Sequence, residues 1–68
     1  MTVGSRVRTT LATLESIEAT LSSLAAKTEE EGARDAFHQS ALKTRTVIAE
    51  IKKRLAQLEL EEPQYKQS

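Results

Sequence analysis

The stretch from Phe37 to Leu58, FHQSALKTRTVIAEIKKRLAQL, carries the apolar repeat that decides the fold. Its apolar and small residues follow one another at spacings of four and three without a break, which is the pattern of a helix that buries one narrow stripe. The second half of the chain is therefore predicted to form one long amphipathic helix. The stripe consists of Phe37, Ala41, Thr44, Ile48, Ile51, Leu55 and Leu58.

The first half of the chain carries the same spacing. If the chain folds back on itself, the two stripes come into register position by position, and the turn falls near residues 29–32. The sequence therefore predicts an all-α fold, an antiparallel two-helix hairpin with helices over about 3–28 and 33–61. The residues expected in the hairpin seam are Val3, Val7, Leu14, Ile17, Leu21, Leu24, Phe37, Ala41, Ile48, Ile51, Leu55 and Leu58, with Thr10 and Thr44 as polar members.

Three local signals mark the ends of the helices. Thr2 or Ser5 can cap the first helix. In Glu29-Glu30-Glu31-Gly32 the glycine is expected to give the turn its backbone freedom, and the glutamates lie at the positive dipole end of the second helix. Pro63 cannot continue a helix, so the second helix is expected to end before it.

Length and composition limit the class of protein. Sixty-eight residues predict a single domain, 1–68, with residues 63–68 as a short C-terminal tail. Ten basic and ten acidic side chains cancel, so no nucleic-acid partner is expected. The chain has no cysteine, no apolar run near the roughly 18–20 residues of a membrane span, and no signal-peptide core. A cytoplasmic protein without a membrane span is the expectation.

A hairpin of this size buries little surface, which predicts self-association. Chains this short rarely gain more than about 3–5 kcal/mol from one core, and this chain has no disulfide and only two aromatic residues. We therefore expect a homodimer in which two hairpins form a four-helix bundle. Alternatively, the residues outside the seam only broaden the stripe within one chain or form an ordinary surface. The candidates for a dimer or partner face are Leu11, Ala12, Ala19, Ala26, Leu42, Val47, Ala49 and Ala56.

Residues that could carry chemistry are few. Asp35 and His38 share a helix face, but bundle metal sites need a second such pair and further carboxylates, so no metal site is expected. The basic run Lys52-Lys53-Arg54 is flanked by glutamates and has no aromatic neighbour for base stacking. With one histidine, no cysteine and no glycine-rich phosphate loop, we expect no enzyme activity, no catalytic residue and no cofactor.

The C-terminal tail leaves two interpretations open. Pro63, Tyr65 and Lys66 can fold back over the open end of the bundle near Val3 and Val7, or they can be presented to a partner as a docking peptide.

Both ends of the chain resemble a known family. Met1-Thr2-Val3-Gly4-Ser5, followed by Val7, and the closing Glu61-Glu62-Pro63-Gln64-Tyr65-Lys66 are similar to the start and finish of short proteins of spore-forming Firmicutes, the domain of unknown function 1657 family. Members often have a proline near position 53, where this chain has Lys53, so an unbroken second helix is expected from this sequence alone. The residues between the ends that fit the resemblance are Leu11, Ala12, Leu14, Leu21, Thr28, Ala33, Phe37, Ala41 and Leu55.

The resemblance implies a context and no chemistry. Such proteins are similar to ones encoded beside the stage V sporulation A membrane proteins, which implies a role in spore assembly, heat resistance or germination. The resemblance further implies a location on the forespore or spore core side, peripheral to the spore inner membrane, with a spore membrane protein as a partner. The expected function is that of a non-enzymatic, self-associating structural or adaptor protein. The alternative is a nucleic-acid-associated spore protein that uses its arginines and lysines.

Overall fold

The computed structural model describes residues 2–61 and contains two helices. Helix α1 spans Val3–Lys27 and helix α2 spans Glu31–Glu61, and Thr28–Glu30 join them. The predicted all-α hairpin is confirmed, and the described residues contain no strand. Helix α2 continues without interruption through Lys53, as expected from the absence of proline there. The tail residues 63–68 lie outside the described residues.

The hairpin is a single layer of helices. It measures 48 × 18 × 11 Å along its principal axes, and 11 Å is the diameter of one helix. Its radius of gyration is 15.1 Å, whereas a compact domain of this length has about 11 Å. Helices usually bury their apolar stripes between at least two packed layers. Within residues 2–61 no further element covers either broad face of the hairpin.

A side chain caps the start of each helix. The Thr2 hydroxyl accepts a hydrogen bond from the Ser5 N–H at 3.0 Å, so Thr2 caps α1. The Glu30 carboxylate accepts from the N–H groups of Gly32 at 3.0 Å and Ala33 at 2.6 Å. This cap starts α2 at Glu31, two residues earlier than the sequence pattern predicts.

The expected role of Gly32 is wrong. No described glycine has a positive φ, and Gly32 lies within the first turn of α2. The turn therefore does not depend on the conformational freedom of glycine. It depends on the capping carboxylate that follows the end of α1, because a side-chain acceptor can replace the missing preceding turn of a helix.

The seam of α2 is the stripe that the spacing indicates. Ala41, Ile48 and Leu55 are buried at intervals of seven, and Phe37 and Ile51 beside them are half-buried. The centre of the core is a cluster of Leu11, Ile48 and Leu55, against which Val7, Leu14 and Ile51 pack.

Helix α1 is rotated about its own axis relative to the prediction. Its buried residues are Gly4, Leu11 and Ala25, one position beyond the line that runs through Val3 and Ile17. Leu11, predicted for a dimer or partner face, lies in the core and is 6% exposed. Four apolar residues predicted for the seam are exposed at its edge, as is the polar Thr10. The four apolar residues are Val3, Ile17, Leu24 and Leu58.

The rotation has a physical reason. Two apolar stripes of α1 share the line Val7, Leu14 and Leu21, so either stripe can face α2. Turning toward Leu11 places a large apolar side chain at the centre of the seam, where the alternative stripe has the smaller, polar Thr10. The same rotation brings acidic residues of α1 beside basic residues of α2.

We expect Leu11→Ala to lower the free energy of unfolding by about 2–4 kcal/mol, because it opens a cavity among Ile48 and Leu55. The matched control is Leu60→Ala, since Leu60 is 81% exposed and its truncation is expected to change stability by less than about 0.5 kcal/mol. Urea unfolding at one protein concentration measures both. Equal losses in the two variants would contradict the position of Leu11 in the core.

Glu30→Ala is expected to cost about 1 kcal/mol of stability, because two N–H groups of α2 lose their acceptor. Glu29→Ala removes the same charge one residue earlier and is expected to have little effect. Thermal unfolding followed by circular dichroism compares the two. If Glu29→Ala costs as much as Glu30→Ala, the contribution is general electrostatics rather than capping.

Candidate functional site

One long side of the seam is closed by ion pairs between the helices. Arg8 pairs with Glu59. The Lys52 Nζ lies 3.2 Å from a Glu15 carboxylate oxygen, and an Arg45 guanidinium nitrogen lies 3.6 Å from Glu18. We call this side the charged flank, and it consists of Arg8, Glu15, Glu18, Arg45, Lys52 and Glu59.

On the other long side, no ion pair joins the two helices among residues 2–61. A helix turns about 100° per residue, so Glu15 lies about 40° from Leu11 in one direction and Ile17 about 120° in the other. On α2, Lys52 lies about 40° from Ile48 in one direction and Val47 about 100° in the other. Because the helices are antiparallel, rotation in the same sense about each axis leads to the same side of the hairpin. Ile17 and Val47 therefore lie together, opposite the ion pairs.

This second side is an exposed apolar surface. Val3 is 54% exposed, Val47 48% and Ile17 45%, although each is a large apolar side chain. The half-buried Leu14, Leu21 and Ile51 connect these residues to the core. We call this side the open flank, and it consists of Val3, Ile17, Leu24, Val47 and Leu58.

Two threonines beside the open flank already use their hydroxyl donors within their own helices. The Thr10 hydroxyl donates to the Arg6 carbonyl at 3.0 Å, and the Thr44 hydroxyl donates to the Ser40 carbonyl at 2.8 Å. If a partner covers either threonine, the hydroxyl donor of that threonine therefore keeps its hydrogen bond. By helical phase Arg6 lies in line with Leu24, and Lys43, Arg54 and Glu61 lie within about 40° of Val47, whereas Glu50 lies at the outer rim of this flank.

The residues predicted for a partner face are divided between the two sides. Leu42, Ala49 and Ala56 are exposed on α2 beyond the charged flank, as are Ala12, Ala19 and Ala26 on α1. Val47, which the sequence analysis places in the same group as Leu42, lies on the opposite side. Sequence spacing could have separated them, because opposite charges in α1 and α2 identify which side the ion pairs occupy.

An aspartate and a histidine lie beside a surface depression at the turn end of the hairpin. A shallow depression of about 410 Å³ is lined by Ser22, Ala25, Ala26, Arg34, Asp35 and His38. Asp35 and His38 are both exposed there. Within residues 2–61 no group of three or more His, Cys, Asp or Glu side chains could hold a metal ion.

The basic run is partly neutralised. Lys52 pairs with Glu15, and Arg54 lies 3.6 Å from Glu50 in the same helix. A surface that binds phosphates needs cations that are available to the ligand. These pairs reduce the positive charge that the run presents.

Neither helix within residues 2–61 contains a segment long and apolar enough to cross a lipid bilayer.

Comparison with family models matches residues 7–55 to the family described as "Protein of unknown function (DUF1657)". No curated protein and no solved structure matches the chain. The matched region covers most of α1, the turn and most of α2, so the chain belongs to this family.

Proposed function

We propose that this member of the DUF1657 family is a non-enzymatic structural or adaptor protein that works by self-association through the open flank. Two hairpins would cover each other's open flanks and form a homodimeric four-helix bundle. The observation that carries the proposal is the apolar surface formed by Ile17, Leu24 and Val47 on one side of a layer only 11 Å thick.

Magnitudes favour the open flank over the charged flank as the contact surface. A fully buried Val, Leu or Ile side chain gains about 1.5–3 kcal/mol, so covering the exposed half of Ile17 or Val47 is worth about 1 kcal/mol. A dimer covers such residues on both copies. The ion pairs of the charged flank are already formed within one chain, and exposed pairs are worth only about 0–1 kcal/mol each.

The core of one hairpin supports the same proposal. Only five apolar residues are buried among those described, and none has less than 2% of its surface exposed. A second layer over the open flank would bury the edges of Leu14, Leu21 and Ile51 as well. Association would then complete the core rather than join two finished domains.

We expect Val47→Lys to shift the full chain from dimer to monomer, because a charge would then lie in the centre of the proposed interface. Leu42→Lys is the matched control, since Leu42 is 38% exposed on the opposite side of the same helix. Light scattering after size exclusion gives the mass of each variant. A monomeric parent, or equal dissociation in the two variants, would overturn self-association through the open flank.

We further propose a setting for the assembly that rests on the family resemblance. The dimer would act in sporulating cells, on the forespore or spore core side, as a peripheral subunit of a spore inner-membrane complex. In a dimer built on the open flank, the opposite side with Leu42, Ala49 and Ala56 would stay accessible to such a partner.

A fluorescent fusion in a spore-forming host tests the setting. We expect its signal to appear during sporulation and to follow the forespore membrane, because the proposed partner is a membrane complex. Signal that is constant through growth and evenly spread through the cell would contradict the setting while leaving the self-association proposal to its own test.

A further inference from the structure

We infer that α1 has two rotational states against α2. The second state, which we call the turned state, differs from the observed one by a rotation of about 100° about the axis of α1, the angle between neighbouring residues of a helix. In the observed state Leu11 is buried and Ile17 and Leu24 are exposed. In the turned state Ile17 and Leu24 would face α2, and Leu11 would lie outside the seam. The rotation would therefore set how much apolar surface the open flank presents.

The observed state turns the less apolar of two lines on α1 toward α2. The line that faces α2 consists of Gly4, Leu11, Glu18 and Ala25. The exposed line consists of Val3, Thr10, Ile17 and Leu24. Leu11 fills the centre of the seam in the observed state, whereas the exposed line has three large apolar residues. Because apolar burial scales with area, it favours neither state strongly.

The residues between the two lines contact α2 in either state. Val7, Leu14 and Leu21 lie between the lines in helical phase and are half-buried. A rotation of about 100° moves the Cα atoms of a helix by only about 3.5 Å, because they lie on a cylinder of radius about 2.3 Å. One extended residue spans about 3.3–3.6 Å, and residues 28–30 join the helices. The connection can therefore accommodate the rotation.

The ion pairs of the charged flank hold α1 in its observed phase. A rotation that brings Ile17 toward α2 carries Arg8 and Glu15 away from it, because these residues lie on the other side of Leu11. The Glu15 and Lys52 side chains are 52% and 56% exposed. Exposed pairs are weak and are screened by salt. A small loss of charge on this flank is therefore enough to move the balance toward the turned state.

The rotation has a consequence for self-association. Only the observed state presents Ile17 and Leu24 to a second copy, so binding through the open flank selects that state. A fraction of the single chains would be in the turned state, and association would remove this fraction. This consequence rests on the proposed self-association, whereas the rotation itself does not.

Thiol labelling tests the rotation, because the full chain has no cysteine. Leu11 and Ile48 are each 6% exposed and belong to one cluster, so Leu11→Cys and Ile48→Cys form a matched pair. Rotation of α1 uncovers the first thiol and leaves the second one facing α1. After correction for the stability of each variant, we expect the uncharged reagent iodoacetamide to modify Leu11→Cys at least about tenfold faster, since minor conformations are commonly populated at about 0.1–10%.

Urea separates rotation from unfolding. Rotation exposes little new surface, so the labelling rate of Leu11→Cys is expected to stay nearly constant at low urea concentrations, whereas labelling through unfolding rises steeply with urea. Equal corrected rates for Leu11→Cys and Ile48→Cys, rising together with urea, would overturn the rotation.

A charge substitution tests whether the ion pairs hold α1. Glu15→Gln, added to Leu11→Cys, removes the pair with Lys52 and is expected to raise the labelling rate about threefold, as the loss of one exposed pair allows. Glu50→Gln is the matched control, because Glu50 pairs within α2, and it is expected to leave the rate unchanged. No acceleration by Glu15→Gln, or equal acceleration by both substitutions, would overturn the role of the ion pairs.

Val7→Cys distinguishes rotation from fraying of α1. Val7 stays near α2 in either rotational state, whereas fraying from the start of α1 exposes it before Leu11. Glu15→Gln is therefore expected to leave the labelling rate of Val7→Cys unchanged. Equal acceleration of Val7→Cys and Leu11→Cys would overturn the rotation.

Protein concentration separates the rotation from self-association. If association selects the observed state, labelling of Leu11→Cys slows as the protein concentration rises. A parent chain that sediments as a monomer would overturn self-association, while the labelling rates would still decide the rotation. A Leu11→Cys chain that sediments as a dimer and labels at a rate independent of concentration would overturn the link between the two.

Discussion

A hairpin of two helices has one seam with two long edges. The rest of this structure depends on which side chains lie along each edge. Ion pairs such as Glu15–Lys52 close one edge. The other edge passes directly into exposed apolar side chains, including Ile17 and Val47. Since the layer is one helix thick, no third element of the described chain covers that edge. The asymmetry gives the molecule one side on which ion pairs join the helices and one side on which large apolar side chains are exposed.

The sequence was sufficient to predict the hairpin and the phase of α2. Helix α2 has one dominant stripe, so Ile48 and Leu55 have only one direction in which to be buried together. Helix α1 has two stripes that share Leu14 and Leu21, and its hydrophobic pattern alone does not distinguish them. The choice depends on the partner helix, through the packing of Leu11 and the placement of Glu15 and Glu18. Periodicity within a single helix does not contain that information.

The presence of two apolar stripes on α1 also explains why its residues at the candidate site were predicted wrongly. The spacing placed Val3, Ile17 and Leu24 in a buried seam and Leu11 on a partner face, and the structure exchanges these assignments. In the predicted and in the observed arrangement alike, the apolar surface of α1 is larger than one helix–helix seam can bury. At the turn, the sequence predicts that Gly32 supplies the backbone freedom, whereas the structure shows a cap made by the Glu30 carboxylate. Local capping geometry of this kind follows from three-dimensional side-chain reach, which composition does not give.

The central claim is that folding and association of this chain are linked through the open flank. The most direct measurement is the melting temperature of the full chain, followed by circular dichroism over about a hundredfold range of protein concentration. The account predicts that the melting temperature rises with concentration, because binding of a second copy stabilises the folded state by mass action. A melting temperature that stays constant over that range would contradict it.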